Sequence, residues 1–179
     1  KEKIIEEKLN KNSKKFNLII TAGGASVGEE DHLINVINNI GNIIFWKAAI
    51  KPGRPIAVGK INNCYIICLP GNPVSVQLLY ALIVKPFINY LSGGRFLIPK
   101  PEKIKVNFNM TKKTKRMEWL RVIKKIRNSE YLAEKYPKQG SGMISSMAYS
   151  DGIIEIPESV SKIKVGEIYN YYDFRILFS

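Results

Sequence analysis

Residues 2–11 set Ile4, Ile5 and Leu9 at helical spacing among charged side chains, which predicts an amphipathic helix. The run FNLIIT (16–21) is short and apolar throughout, as in a strand buried on both faces. AGGASVG then reads as a loop. From Glu29 to Ile40 the apolar positions Leu33, Ile34, Val36, Ile37 and Ile40 mark one helical face, closed by Gly41. Residues 43–50 read as a strand and KPGRP as a rigid turn. IAVGKI and CYIICL flank Asn62-Asn63, a hairpin signal because asparagine tolerates positive φ. A further helix is predicted from Pro73 to Leu91, with Asn72 as N-cap, Pro73 in the first position and a kink at Pro86.

The pattern changes after SGGRFLIPKP (92–101), whose glycines and prolines mark a boundary. Beyond it lie short runs rich in β-branched and aromatic residues: KIKVNF, EWLRVIKKI, YLAEKY, GIIEIP and YNYYDFRILF. The expectation is an α/β domain over residues 1–94 and a small, mostly β domain over 95–179.

With 179 residues and a 45% hydrophobic fraction, the chain is long enough for one or two cores. No unbroken run of about 20 apolar residues occurs, which argues against a membrane span. The charged start KEKIIEEKLNKNSKK has no apolar block of a signal peptide. It also lacks an initiator Met, pointing to a fragment or processed product. On a strand, Cys64 and Cys68 would lie about 13 Å apart at ~3.3 Å per residue, too far for a disulfide. They read as small core residues of a reducing compartment, the cytoplasm. With His32 the only histidine, they make no zinc site.

The net charge is +13, and the densest basic stretch is TKKTKRMEWLRVIKKIR (111–127). It reads as a solvated strand face, an anionic small-molecule site or a nucleic-acid surface, and no recognisable nucleic-acid-binding motif accompanies it.

Two glycine-bearing loops fall at strand-to-helix junctions: AGGASVG, with Gly23, Gly24, Ser26 and Gly28, and PGNP, with Pro70, Gly71, Asn72 and Pro73. In open α/β sheets ligands bind beyond the carboxyl ends of the strands, where helix N-termini favour anions. The first loop is neither a Walker A loop nor GxGxxG. PGNP is also simply a good helix start. Glu29, Glu30 and Asp31 complement a helix dipole, or one of them holds a cation. In FWKAAIKPGRP, Lys47 and Lys51 would share a face of one strand, with Arg54 beyond the turn. Three such cations make an anion site, although lysines at strand ends are also common surface.

Taken in order, TAGGASVGEEDH, FWKAAIKPGRPIAVGK and LPGNPVS, followed by RMEWLRV and GSGMISSMAYSDGIIEIPE (140–158), resemble the molybdopterin molybdenumtransferase family, bacterial MoeA and the gephyrin E domain. The resemblance runs from about Phe16 to the end. It implies a partial molybdopterin-binding-type (MogA-like) α/β domain and a C-terminal β domain. It also implies that the family's upstream strand, its Ser-Gly-Asp-Glu-type loop and two further domains stand outside this sequence. The implied activity is insertion of molybdenum from molybdate into adenylylated molybdopterin, releasing AMP with a divalent cation, Mg2+. By match to the motifs, Asp31 is the acidic, metal-linked position, and Lys47 and Lys51 are the lysines near pterin and molybdate. Pro70 and Pro73 line the site and Ser75 ends the motif. A cytoplasmic homodimer that binds neither nucleic acid nor membrane is the expected setting. A non-catalytic pterin-binding or scaffold module is the alternative.

Overall fold

The structure is a computed structural model that describes residues 2–23 and 29–179, the side chains of residues 29–31 excepted. The chain divides into two compact units. The first comprises Lys1–Ala48 and Gly53–Phe96, the second Ala49–Pro52 and Leu97–Ser179.

In the first unit the elements are helix α1 (Glu2–Ser13), strand β1 (Leu18–Ala22), helix α2 (Glu29–Ile40) and strand β2 (Asn42–Trp46). Strand β3 (Ile50–Lys51) belongs to the second unit. The hairpin β4 (Ala57–Ile61) and β5 (Cys64–Leu69) and an interrupted helix return to the first. The sheet order is β1-β5-β4-β2. β1 runs parallel to β5, and β4 is antiparallel to both β5 and β2.

Alternation along β5 divides its side chains between two faces. Cys64, Ile66 and Cys68 join Ala57 and Ile61 of β4, Leu9 of α1 and Ile34, Val36 and Ile37 of α2 in one buried cluster. Tyr65, on the opposite face, meets the ring of Phe87 edge-on at 5.1 Å, so the interrupted helix lies there.

That helix comprises α3 (Pro73–Leu79), a π-helical turn (Tyr80–Val84) and α4 (Lys85–Leu91). The sequence pattern predicts only a kink at Pro86. The kink is resolved as a π turn immediately before it, in which the Lys85 N–H reaches the Tyr80 carbonyl. The wider turn accommodates a proline that lacks an N–H and crowds the carbonyl four residues back. By length (19 residues) and mean hydropathy (1.4 over an 18-residue window) Pro73–Leu91 reaches what a membrane crossing needs. A search for one unbroken apolar run misses this. Val74, Leu78, Leu79, Ala81, Leu82 and Val84 are nevertheless buried inside the protein.

The second unit adds β6 (Glu102–Val106), β7 (Met110–Thr111), β8 (Met117–Arg127), β9 (Glu130–Lys135), helix α5 (Ser145–Ala148), β10 (Gly152–Ile156), β11 (Lys162–Ile163), β12 (Ile168–Asp173) and helix α6 (Phe174–Leu177). The order is β10-β12-β6-β9-β8-β3, and β10 also pairs with β8. Five strands therefore close on themselves, with β3 added along the first turns of β8. The inward positions Ile104, Val106, Leu120, Val122, Ala133, Ile154, Ile156 and Tyr171 fill the interior. The last segment, read from its aromatic pattern as strand, turns helical at Phe174. Asp173 accepts the Arg175 N–H and caps that turn.

Candidate functional site

Because β4 is antiparallel to both neighbours, β2 runs in the same direction as β1 and β5. Thr21, Cys68, Ala57 and Trp46 form one row across the sheet. The chain therefore leaves the same carboxyl edge three times: from Ala22 to Gly23, from Leu69 to Pro70 and from Trp46 to Lys47. With ~4.8 Å between strands, Lys47 lies about 10 Å along the edge from the start of PGNP.

The first two exits touch. A Cβ on Gly71 would stand 3.4 Å from the Gly23 Cα, and Gly23 has the positive φ of +85° that favours glycine. Gly24, Ser26 and Gly28 lie outside the described residues. Asp31 is the third residue of α2, and its side chain also lies outside them.

In PGNP, Pro70 is buried while Gly71, Asn72 and Pro73 are exposed. Asn72 occupies the N-cap position, but its side chain makes no cap hydrogen bond, contrary to the sequence expectation. Helix α3 begins on the φ of Pro73, which suits the first helical position, and on the Asn72 carbonyl, which accepts the Val76 N–H at 3.0 Å. The Asn72 amide thus stays outside the helix's own bonding. Ser75, in the first helical turn, is buried at 2% exposure.

The expectation that Lys47 and Lys51 share one strand face is overturned. β2 ends at Trp46. Lys47 takes a left-handed backbone, φ 67°, with its N–H donated to the Ile56 carbonyl at 3.0 Å. Its ammonium sits 3.8 Å from the centre of the Trp46 ring. Lys51 belongs to the second unit, paired in register with Glu118 of β8. Its Nζ lies 3.3 Å from Glu118 Oε2, and Glu118 is only 4% exposed. Arg54 is exposed in the turn, and its carbonyl accepts the Ala48 N–H at 2.9 Å.

One side chain that the motif reading quoted without a role, Arg121, organises the second unit. It is 1% exposed and has no carboxylate partner among the described residues. Its Nε donates to Ser146 Oγ at 3.1 Å, Nη1 to the Trp119 carbonyl at 3.4 Å and Nη2 to the Gly140 carbonyl at 3.2 Å. Burial lowers its pKa to about 10, which still leaves it charged at neutral pH. Arg121 thereby ties GSGMISS to β8, and Gln139 reinforces the tie by bonding both its N–H and its carbonyl. A lone basic residue inside an apolar strand was the available signal for it.

Burial pushes the Cys68 thiol up to about 11, so it is neutral at the sheet edge and supplies no thiolate nucleophile. Among the described residues no three His, Cys, Asp or Glu side chains converge as a metal site. An apolar groove of about 790 Å³ between α1, α2 and β1 is lined by Ile4, Ile5, Leu9, Phe16, Ile19 and Leu33 and ends near Gly23. Its lining suits apolar groups rather than an oxyanion.

The chain is similar to known proteins. The family model described as the probable molybdopterin binding domain matches residues 1–90, and that of the MoeA C-terminal region (domain IV) matches residues 103–174. The chain belongs to the molybdopterin-binding family, with the MoeA C-terminal region following in the same polypeptide. It is 33% identical over 153 residues to the molybdopterin molybdenumtransferase of Haemophilus influenzae, covering 84% of this chain and 38% of that protein. The enzyme of the same name from Staphylococcus epidermidis is 28% identical over 163 residues, covering 90% and 39%. Among solved structures, the molybdopterin biosynthesis MoeA protein of Pyrococcus horikosii superposes with a TM-score of 0.73 at 26% identity, over 95% of this chain and 40% of the other. A molybdenum cofactor biosynthesis protein of Pyrococcus furiosus gives 0.68 at 25% identity, over 96% and 54%. The chain thus spans under two fifths of the length of these curated relatives.

Proposed function

We propose that the chain works in molybdenum cofactor biosynthesis as the C-terminal portion of a molybdopterin molybdenumtransferase, inserting molybdenum from molybdate into adenylylated molybdopterin with release of AMP. The observation that carries this reading is the single sheet edge onto which Gly23, PGNP and Lys47 open. Molybdate is a dianion and the pterin carries phosphate. Lys47 supplies a fixed positive charge, and the first turn of α3 supplies N–H groups unpaired within the helix. Gly71 and Gly23 let the ligand approach the backbone, while Pro70 and Pro73 hold the loop's shape. Such preorganised groups neutralise charge without reorganising during transfer. Lys51 is proposed as the second of the family's two lysines, with its ammonium held by Glu118. Mg2+ is the proposed cofactor, with Asp31 in the first turn of α2 as the residue that would hold it. The proposed setting is a homodimer in the cytoplasm.

The test is a molybdopterin titration of the chain, followed by complementation of a cofactor-deficient strain by the full-length enzyme bearing Lys47→Ala. The expected result is pterin binding by the chain and loss of complementation by the variant. Wild-type complementation by the variant would remove Lys47 from the site. A second reading is pterin binding without turnover. It predicts retained binding with no molybdenum insertion by the isolated chain.

A further inference from the structure

Neighbouring side chains on a strand point to opposite faces, so residues i and i+1 do not meet. Trp46 and Lys47 do meet. The left-handed turn at Lys47 breaks the alternation at the end of β2 and brings Nζ over the indole at 3.8 Å from its centroid. Non-glycine residues enter this region seldom, and those that do cluster at functional sites. The Lys47 N–H is held by the Ile56 carbonyl, so the turn is fixed from the backbone as well. Across the strand pair from Trp46 stands Ala57, whose methyl leaves room for the large ring.

The two motif lysines are restrained by opposite means. Glu118 holds Lys51 and in doing so compensates its charge. The Trp46 face attracts the Lys47 ammonium through the ring quadrupole and leaves the full positive charge in place. Only the second arrangement delivers an oriented cation with no carboxylate partner among the described residues.

We propose that Trp46 is a positioning residue: its ring holds the Lys47 ammonium at the carboxyl edge of the sheet for an anionic substrate. This rests on the reading of Lys47 as an anion-binding residue.

The experiment uses the full chain in a Trp119→Phe background. Trp119 is buried in the second unit with its indole donated to Glu155, and the chain has only two tryptophans, so Trp46 becomes the sole reporter. Inorganic molybdate is titrated by calorimetry into this protein and into its Lys47→Ala, Trp46→Leu, Trp46→Phe and Trp46→Leu/Lys47→Ala derivatives. Melting temperatures are measured in parallel. Lys47→Ala and Trp46→Leu are each expected to weaken molybdate binding about five- to tenfold. Trp46→Phe, which keeps a ring, should stay within about threefold. The double variant should be no weaker than Lys47→Ala alone, because both remove one device. Lys47→Met should shift the Trp46 emission maximum. An unchanged affinity in Trp46→Leu, or losses that add in the double variant, would overturn the positioning role. So would a Trp46→Leu loss that follows its melting temperature and is not relieved by phenylalanine. An unchanged affinity in Lys47→Ala would overturn the anion-site reading and this inference with it, whatever the emission shows.

Discussion

Gly71 is the residue at which ligand approach and folding separate most cleanly. It is exposed, its φ is not in the left-handed region, and an added Cβ would meet the Gly23 Cα at 3.4 Å, an ordinary van der Waals distance. Gly71→Ala should therefore leave the melting temperature unchanged or slightly raised, since alanine lowers unfolded-state entropy by roughly 0.4–1 kcal/mol at a compatible site. The same methyl fills the gap between the two glycine loops, so pterin affinity should fall about tenfold or more. Pro73→Ala at the exposed first position should cost roughly 0.4–1 kcal/mol of stability with a similar loss of binding. Unchanged affinity in both variants by pterin titration would leave PGNP as a helix start alone. At this scale the motif was legible and its details were not. Asn72 has the residue type and place of a cap, yet its side chain makes no cap bond. Ser75 ends the motif but faces the interior at 2% exposure. Both outcomes depend on what packs around the turn, which local spacing does not encode.

Elements were most legible where periodicity lasted longest, as in α2 and the β4–β5 hairpin, and least where one residue ends a run. Residues 43–50 are apolar enough for one strand, but the chain switches units between Ala48 and Ala49. The single left-handed residue Lys47 makes the break. The final YNYYDFRILF reads as strand to its end because aromatic and β-branched residues dominate, and Asp173 alone signals the start of α6. The Asp173 carboxylate accepts from the Arg175 backbone N–H at 2.9 Å and from its guanidinium at 2.9 and 3.1 Å. Those bonds hold its pKa below the ordinary carboxylate value. A depressed folded pKa stabilises above the unfolded value, roughly 3.9, and that contribution disappears as pH falls through the folded value. Asp173→Asn should thus lower the melting temperature by a few degrees at pH 7, on the order of 1 kcal/mol. The gap from wild type should close below about pH 4, near the unfolded carboxylate value. A gap constant between pH 7 and pH 3 would mean that shape rather than charge secures the helix.

For the whole molecule, the change of pattern near residue 95 marks a change from helical to β-rich style, but it could not show Ala49–Pro52 joining the second unit, because strand pairing is a long-range fact. The charge of +13 was ambiguous for the same reason. Once folded, the basic run 111–127 is partly spent on structure. Arg121 is buried, Lys124 faces Glu102 and Asp173, and Arg127 pairs with Glu134. Lys112 donates to the Arg116 carbonyl at 2.8 Å. Of the run, Lys113, Lys115 and Lys125 are exposed and Lys112 and Arg116 half-buried, and these five have no ion pair among the described residues. Nucleic-acid affinity scales with the number of phosphates neutralised, each contributing about 0.9 to the slope of log affinity against log salt. Five such cations therefore predict that this run contributes a slope no steeper than about −4.5 for arbitrary duplex DNA. Fluorescence anisotropy across a salt series measures it. A slope of about −6 or steeper would show that the ion pairs open to meet phosphate, and would restore the nucleic-acid reading. A shallow slope leaves the excess charge as a long-range field that draws small dianions toward the protein, where the oriented Lys47 ammonium acts at short range.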